Sequence, residues 1–264
     1  MTTVVNARVA KHQWRGGVVL ALTVPILLWV ATMDPVPQPI EYHQFADQRT
    51  LFGIPHFWNV VSNLPFAVVG LYGCWWLTRR GASSAAFVDT RERTAYLVFL
   101  VGDVLTCFGS AWYHAAPSND TLVWDRLFMS LMLGSIFAIV VTEFINPRVG
   151  RRMLAPMVVL GVGSVLYWAH TEAIGRGDLR LYLLVQFYPM LAIPVTLLLF
   201  ESRYTHGSMF WVLWGLYGLA KIAEIGDARI LEWTGFWSGH TVKHLVAAGA
   251  SFVPLYSLQR RRPR

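Results

Sequence analysis

The chain has 264 residues, of which 55% are hydrophobic and only 14% are charged. Soluble domains of this length usually carry about 25% charged residues, so the composition favours an integral membrane protein over a soluble one. The net charge of +7 does not indicate nucleic-acid binding, because the basic residues fall in short clusters between apolar segments. Both cysteines lie inside apolar segments, and we expect free thiols at Cys74 and Cys107.

Eight apolar segments follow one another along the chain, and each is about long enough to cross a bilayer as a helix. They cover approximately residues 16–33, 57–78, 95–113, 125–144, a fifth segment ending near 170, 181–200, 210–225 and 236–258. A signal peptide is the alternative for the first segment. We expect a retained helix, because residues 30–33 make a poor cleavage site. The sequence therefore predicts an all-α membrane protein with one domain, residues 1–264.

The basic residues predict the orientation of these segments in the membrane. Alternate loops, taken together with both termini, hold 15 Lys and Arg residues on one side and 4 on the other. Because the richer side faces the cytoplasm, both termini should be cytoplasmic. The end of the third segment and the starts of the second, fourth and eighth then lie on the non-cytoplasmic side.

Three histidines at that side predict a metal site. His240 and His244 are four residues apart on a predicted helix, so both imidazoles share one face and can reach one ion. His114 ends the third segment and supplies a third imidazole. Three histidines with a fourth position left for water are typical of a catalytic zinc. The alternative is three interfacial histidines that hydrogen-bond carbonyl groups or face water.

Two further side chains can serve a zinc hydrolase. Asp125 begins the fourth segment and can accept the proton of the attacking water. Its alternatives are a carboxylate favoured by the helix dipole or an ion pair with Arg126. Ser110 shares a helix face with His114 and can donate to the water or to the developing oxyanion. Its alternative is a small residue that eases helix packing.

Other charged residues receive structural interpretations. Asp103 lies eleven residues before His114, on the same helix face. We expect Lys221 or a polar group of a neighbouring helix to neutralise this carboxylate. The alternative is that Asp103 takes part in the chemistry. Lys243 is expected on a different helix face from the histidines, with its ammonium at the membrane interface. A solvated cluster of charges is expected in the loop before the last segment: Glu224, Asp227, Arg229 and Glu232.

The motifs together resemble the alkaline ceramidase family of the CREST superfamily, which also holds the progestin and adipoQ receptors. The resemblance rests on Phe57-Trp58-Asn59-Val60-Val61-Ser62-Asn63, Gly109-Ser110-Ala111-Trp112-Tyr113-His114, Asp125 and His240-Thr241-Val242-Lys243-His244. It implies a seven-helix core over residues 57–258, and zinc held by the three histidines with Ser110 and Asp125 beside the metal-bound water. It also implies hydrolysis of the ceramide amide to sphingosine and a fatty acid.

The sequence departs from the family in two ways. Residues 16–33 add a helix before the core, and the short loops are typical of a bacterial inner-membrane protein. The eukaryotic members carry an acidic, calcium-binding run that ends in Glu just before Phe-Trp-Asn. Here that position is His56, and only Asp47 matches the run. The sequence therefore gives little support for a calcium site, and the resemblance implies ceramide or another N-acyl lipid as the substrate.

Two other functions remain open at this point. A lipid esterase or phospholipid hydrolase can use the same zinc site. A receptor-like protein with structural zinc is the alternative from another class. A fourth ligand from Asp125 would favour the receptor, whereas an open water position beside a lipid-sized cavity would favour the enzyme.

Overall fold

The structure, a computed structural model, describes residues 2–80 and 86–264. It is mostly helical and has no strand in this part of the chain, which confirms the predicted all-α class. The helices are α1 (Thr2–Thr32), α2 (Phe57–Val61), α3 (Leu64–Arg79), α4 (Arg93–Ala115), α5 (Asn119–Val140), α6 (Pro147–Ala173), α7 (Arg180–Leu199), α8 (Met209–Ile225), α9 (Asp227–Thr234) and α10 (Gly239–Arg260). A π-helical turn, Val141–Ile145, extends α5.

Six helical stretches in the described part of the chain are long and apolar enough to cross a membrane. They are Trp14–Thr32, Phe57–Arg79, Thr90–Ala115, Asn119–Ile145, Pro147–Ala173 and Arg180–Leu199. The other two predicted segments correspond to α8 and α10. Both cysteines are free, as predicted. The sequence thus anticipated the long helices, and the number that span the bilayer remains a prediction.

Seven of the long helices form a closed ring, and α1 lies outside it. Each of α3 to α8 packs against the next in chain order, and α10 closes the ring by packing against both α8 and α3. Helix α1 contacts α7, where the hydroxyls of Thr23 and Tyr188 are 2.7 Å apart. This arrangement matches the expected seven-helix core with one extra N-terminal helix. It also brings the end of α4 and the start of α5 beside the start of α10.

Helix caps and two glycines determine where the candidate residues lie. Ser118 and Ser238 each accept a hydrogen bond from the backbone N–H three residues on, which begins α5 and α10 just before their candidate residues. A Cβ at Gly109 would lie 2.7 Å from the carbonyl oxygen of Trp124, so only glycine allows α4 and α5 to approach this closely. Gly239 likewise lies against the carbonyl of Ala223.

A buried ion pair fastens the C-terminal tail at the opposite end of the bundle. The fully buried guanidinium of Arg261 binds the carboxylate of Glu143 in the π-helical turn. It also donates to the hydroxyl of Tyr96 at 2.8 Å and stacks on the ring of Tyr204, 3.9 Å from its centroid. The tail is therefore held by a group that would be costly to leave unpaired in this interior.

The orientation can be tested with two exposed positions at opposite ends of the ring. Asp120 begins α5 and Ser208 precedes α8, and both are exposed. Because basic residues favour the cytoplasmic side, a cysteine replacing Asp120 should react with an impermeant thiol reagent in intact cells, whereas Ser208→Cys should not. The unsubstituted protein controls for Cys74 and Cys107. The reverse labelling pattern would place the histidines on the cytoplasmic side.

Candidate metal centre

The structure brings the three predicted histidines together at one end of the ring. His114 ends α4, whereas His240 and His244 occupy the first two turns of α10. Their candidate ligand nitrogens all lie within 4.8 Å of one another, and each side chain is buried. Such a group could hold one metal ion. It is the only such group of His, Cys, Asp and Glu that the described part of the chain contains.

The hydrogen bonds of the imidazoles fit a metal. The hydroxyl of Ser62 donates to the carbonyl of Asn59, so it accepts from Nδ1 of His244, at 2.8 Å. This leaves the Nε2 lone pair of His244 for an ion. Nδ1 of His114 is buried and has no hydrogen-bond partner in the described structure. Because buried polar atoms normally have partners, the missing partner suits a ligand that a protein structure alone does not supply.

Two acids organise the surroundings of His240. Asp227 accepts hydrogen bonds from the backbone N–H of His240 at 2.7 Å and from that of Ala46 at 2.9 Å. It therefore joins the start of α10 to the segment between α1 and α2, residues 33–56, which we call the polar loop. The ammonium of Lys243 lies 3.0 Å from Nε2 of His240 and 2.8 Å from Glu224. If a metal ion binds Nε2 of His240, the ammonium of Lys243 must move away from that nitrogen. Its ion pair with Glu224 can persist after this movement.

Phe45 covers the histidines from the polar loop. Its ring centroid lies 4.6 Å from that of His114 and 4.8 Å from that of His240, in edge-to-face contact. The ring is buried although it comes from a loop rich in proline and charged residues. An apolar cover of this kind limits the access of water to the imidazoles. No sequence motif marked this residue, and only its isolation among polar neighbours could have drawn attention to it.

A cavity of about 140 Å³ begins at His244 and continues between the helices. Ser110, Asp125, Lys243 and His244 line one end of it, and mostly apolar side chains line the rest. It extends to Phe99, eleven residues before Ser110, which corresponds to about 16 Å along α4. The predicted catalytic pair therefore faces the same space as a metal-site histidine, beside an apolar channel.

The structure argues against one interpretation left open for Asp125, the ion pair with Arg126. Arg126 does not pair with it but donates to Gln38 at 2.6 Å, and its guanidinium stacks 4.2 Å from the ring centroid of Trp168. One oxygen of Asp125, Oδ1, is buried without a hydrogen-bond partner in the described structure, and Ser110 lies close enough to bond the carboxylate. The carboxylate is thus available to a ligand in the cavity. Its catalytic role stays a prediction.

Two interpretations of lysines require correction. Lys221 does not neutralise Asp103 but binds Glu224 at 2.6 Å. Neither carboxyl oxygen of Asp103 makes a well-aligned hydrogen bond in the described structure, but Ser251 on α10 lies close enough to bond this carboxyl, in line with the alternative of a neighbouring polar group. Lys243 does not extend to the interface away from the histidines. It lies three residues after His240, and residues three apart are neighbours on a helix surface.

The predicted solvated cluster before α10 is also only partly correct. Glu224 is mostly buried between Lys221 and Lys243, and Asp227 binds backbone groups of the site. These contacts join residues distant in sequence, so no local pattern announced them. Arg229 and Glu232 form no ion pair in the part of the chain that the structure describes.

The buried carboxylate of the loop before α2, Asp47, is paired with an arginine. Asp47 is buried, and both of its oxygens bind the guanidinium of Arg49, at 2.8 and 2.6 Å. Burial alone would raise the pKa of Asp47, but the hydrogen bonds and charge of Arg49 outweigh it and lower the pKa below its ordinary value. His56 binds the carbonyl of His114 through Nδ1 at 2.9 Å. The one matching acid of the calcium-binding run therefore already has a cationic partner.

Neither a protein-family model nor a curated protein matches this sequence. The candidate function therefore depends on the site itself and on the motifs described above.

Ser62 provides a test of the hydrogen bond behind the metal ligand. Ser62→Ala removes the acceptor that orients His244, and such partners typically contribute about 10- to 100-fold in metal affinity. We expect zinc affinity to fall within that range, as measured by competition with a chelating dye. Ser164 is a matched control, because it is a buried serine that bonds the carbonyl of Gly161 in α6. Equal affinities for Ser62→Ala, Ser164→Ala and the unsubstituted protein would remove Ser62 from the metal site.

Proposed function

We propose that this protein is a zinc-dependent membrane amidase that cleaves the amide of ceramide or a related N-acyl lipid to a free amine and a fatty acid. The observation that carries the proposal is the group of three buried histidines, with ligand nitrogens within 4.8 Å of one another, at the mouth of a mostly apolar cavity. Asp125 and Ser110 line the same mouth. A metal, a proton acceptor and space for an apolar chain are what lipid amide hydrolysis requires.

The donor set suits zinc. Neutral imidazoles are common ligands of this ion, and three of them form a catalytic arrangement with one position open. Zinc bound there would supply Lewis-acid chemistry and make water a stronger nucleophile at neutral pH. His114, His240 and His244 would hold it, and the Ser62 oxygen would keep the His244 ring in the required tautomer.

Asp125 handles the proton in this proposal. Asp125 lines the cavity and its buried Oδ1 atom has no hydrogen-bond partner in the described structure, so this carboxylate can accept a proton from the attacking water. The same carboxyl can then give the proton to the departing amine nitrogen, which must be protonated to leave. Ser110 lies beside the carboxylate and can orient it or donate to the carbonyl oxygen of the substrate.

The apolar part of the cavity accounts for the lipid chain. Its walls come from α4, α5, α7, α8 and α10, with side chains such as Phe99, Ile136 and Ile193. Because three of these helices, α4, α5 and α7, are of membrane-spanning length and composition, an acyl chain can enter sideways from the bilayer while its polar end stays at the histidines. The bilayer is thus both the solvent of the protein and the source of its substrate.

One observation bears on the receptor-like alternative with structural zinc. A structural zinc site is usually closed by four protein ligands. In the described part of the chain the metal group contains three histidines and does not include Asp125. This favours the enzyme. A lipid esterase using the same residues is separated from an amidase only by its substrate.

A mass-spectrometric screen tests the proposal. Purified protein is incubated with ceramide, other N-acyl lipids and matched esters, with and without a zinc chelator. We expect fatty acid and free amine from at least one amide, loss of this activity with chelator, and recovery with added zinc. Cleavage of esters alone would indicate an esterase. Tightly bound zinc with no hydrolysis of any lipid would favour the structural role.

A further inference from the structure

The cavity mouth carries a lysine that the proposed reaction does not use. Lys243 lines the cavity together with Asp125 and His244, and its side chain is 19% exposed. Its ammonium has three N–H groups, of which one binds Glu224 at 2.8 Å and one contacts His240 at 3.0 Å. A cation in this position lies beside the place where the amide would bind. It can therefore contact a group of the substrate next to the scissile bond.

Polar atoms without partners surround the same mouth. Tyr217, on α8, lines the cavity; its buried hydroxyl makes no well-aligned hydrogen bond in the described structure, although the side chain of Gln186 lies close enough to bond it. Asn63 also lines the cavity, and its acceptor Oδ1 has no hydrogen-bond partner in the described structure. Because buried polar atoms normally have partners, these atoms indicate that a polar group of a ligand belongs here. Tyr217 and Lys243 can both donate to it.

The balance of charge indicates the sign of that group. Glu224 binds two ammonium groups, Lys221 at 2.6 Å and Lys243 at 2.8 Å, so it neutralises only one of them. Asp125 is the other carboxylate at the cavity mouth. Lys243 therefore keeps part of its charge where it lines the cavity. An ammonium group that is only partly neutralised in a partly dry cavity favours an anionic ligand.

We propose that the substrate carries an acidic group beside its amide, as in an N-acyl amino acid, and that Lys243 and Tyr217 bind this group. This inference rests on the proposed amidase function and specifies its substrate class. A carboxylate on the carbon next to the amide nitrogen remains close to the carbonyl that the metal would polarise. Lys243, three residues from one ligand and one from the other, is placed to bind it. A neutral amino-alcohol amide would leave the ammonium without this partner.

Two probes that share an acyl chain test the inference. N-oleoylglycine and N-oleoylethanolamine differ in the carboxylate, and the ratio of their kcat/KM values measures the preference. We expect the unsubstituted protein to prefer N-oleoylglycine, and Lys243→Met to lower the ratio about 10- to 100-fold, the range for one hydrogen bond to a charged group. The change should appear mainly in KM, because the ammonium binds the substrate and does not transfer a proton.

Lys221 is the matched control. It binds the same carboxylate, but it does not line the cavity, so Lys221→Met should keep the ratio of the unsubstituted protein. Lys243→Arg retains the charge and should recover part of the preference, which separates a lost charge from a misfolded variant. Tyr217→Phe should lower the ratio less than Lys243→Met. An unchanged ratio in Lys243→Met, or a preference of the unsubstituted protein for the ethanolamide, would overturn the inference.

Measuring the affinities of the protein for the two probes tests the inference separately from the amidase proposal. If neither probe is hydrolysed, the amidase proposal fails for this substrate class, and the affinities of the zinc-loaded protein for the two probes decide the inference by themselves. Tighter binding of N-oleoylglycine that Lys243→Met abolishes and Lys221→Met retains would uphold the acidic-group site. Equal affinities for the two probes would reject it.

Discussion

Asp125→Asn should lower turnover of the amide substrate about 100- to 10,000-fold, the usual contribution of a general acid or base. Asparagine keeps the shape of the side chain but cannot accept a proton. The structure leaves Oδ1 of Asp125 unpartnered at the cavity mouth and keeps it outside the group of metal ligands. The zinc content and the fold of the variant should therefore remain unchanged. Turnover and zinc are to be measured on the same purified sample.

Asp120 supplies the control for this substitution. It lies on the first turn of the same helix but is exposed, so Asp120→Asn removes a similar charge without touching the cavity. It should retain its turnover. A parallel loss of zinc and turnover in Asp125→Asn would make Asp125 a metal ligand. Near-normal turnover with zinc bound would remove Asp125 from the mechanism.

Arg261→Met should destabilise the protein by about 3–5 kcal/mol, the cost of breaking a buried ion pair by removing one partner. The substitution leaves Glu143 buried, because its side chain is only 3% exposed. Tyr96 and Tyr204 lose a hydrogen bond and a stacking partner at the same time. The free energy of unfolding can be measured by titrating a mild-detergent solution with a denaturing detergent.

The neighbouring Arg262 provides a matched comparison for this experiment. It is exposed, and the side chain of an exposed arginine typically contributes about 0–1 kcal/mol. Arg262→Met should therefore unfold close to the unsubstituted protein. If Arg261→Met and Arg262→Met unfolded together, the buried pair would have no special part in holding the tail.

The long helices could be predicted because the bilayer sets their length and composition. Their ends were less accurate where capping decides them. The last segment was expected from residue 236, but α10 begins at Gly239, because Ser238 caps it. The first was expected from residue 16, whereas α1 extends back to Thr2. Hydropathy locates the apolar centre of a helix and carries no information on a polar extension.

The metal site could be predicted because its spacing is local. His240 and His244 lie one turn apart on one helix, and this relation follows from helix geometry alone. His114 was added through the expected orientation of the helices, and the structure brings it to the same place. The sequence thus identified the residues that meet, while their roles await measurement.

The contacts that support the site could not be predicted in the same way. Phe45, Ser62 and Asp227 reach the histidines from a loop and from other helices, so their positions depend on the packing of the whole ring. Lys243 was misjudged for a different reason. Its spacing of three from His240 places it beside that histidine on the helix surface, whereas its place near a helix end is also typical of an interfacial lysine.

Zinc content of the double variant His240→Ala/His244→Ala, measured by elemental analysis, tests the central claim most directly. Three neutral imidazoles should hold the ion, and one imidazole cannot do so tightly. We predict about one zinc per chain in the unsubstituted protein and almost none in the folded double variant. Full zinc occupancy in the double variant would contradict the assignment of these histidines as the metal centre.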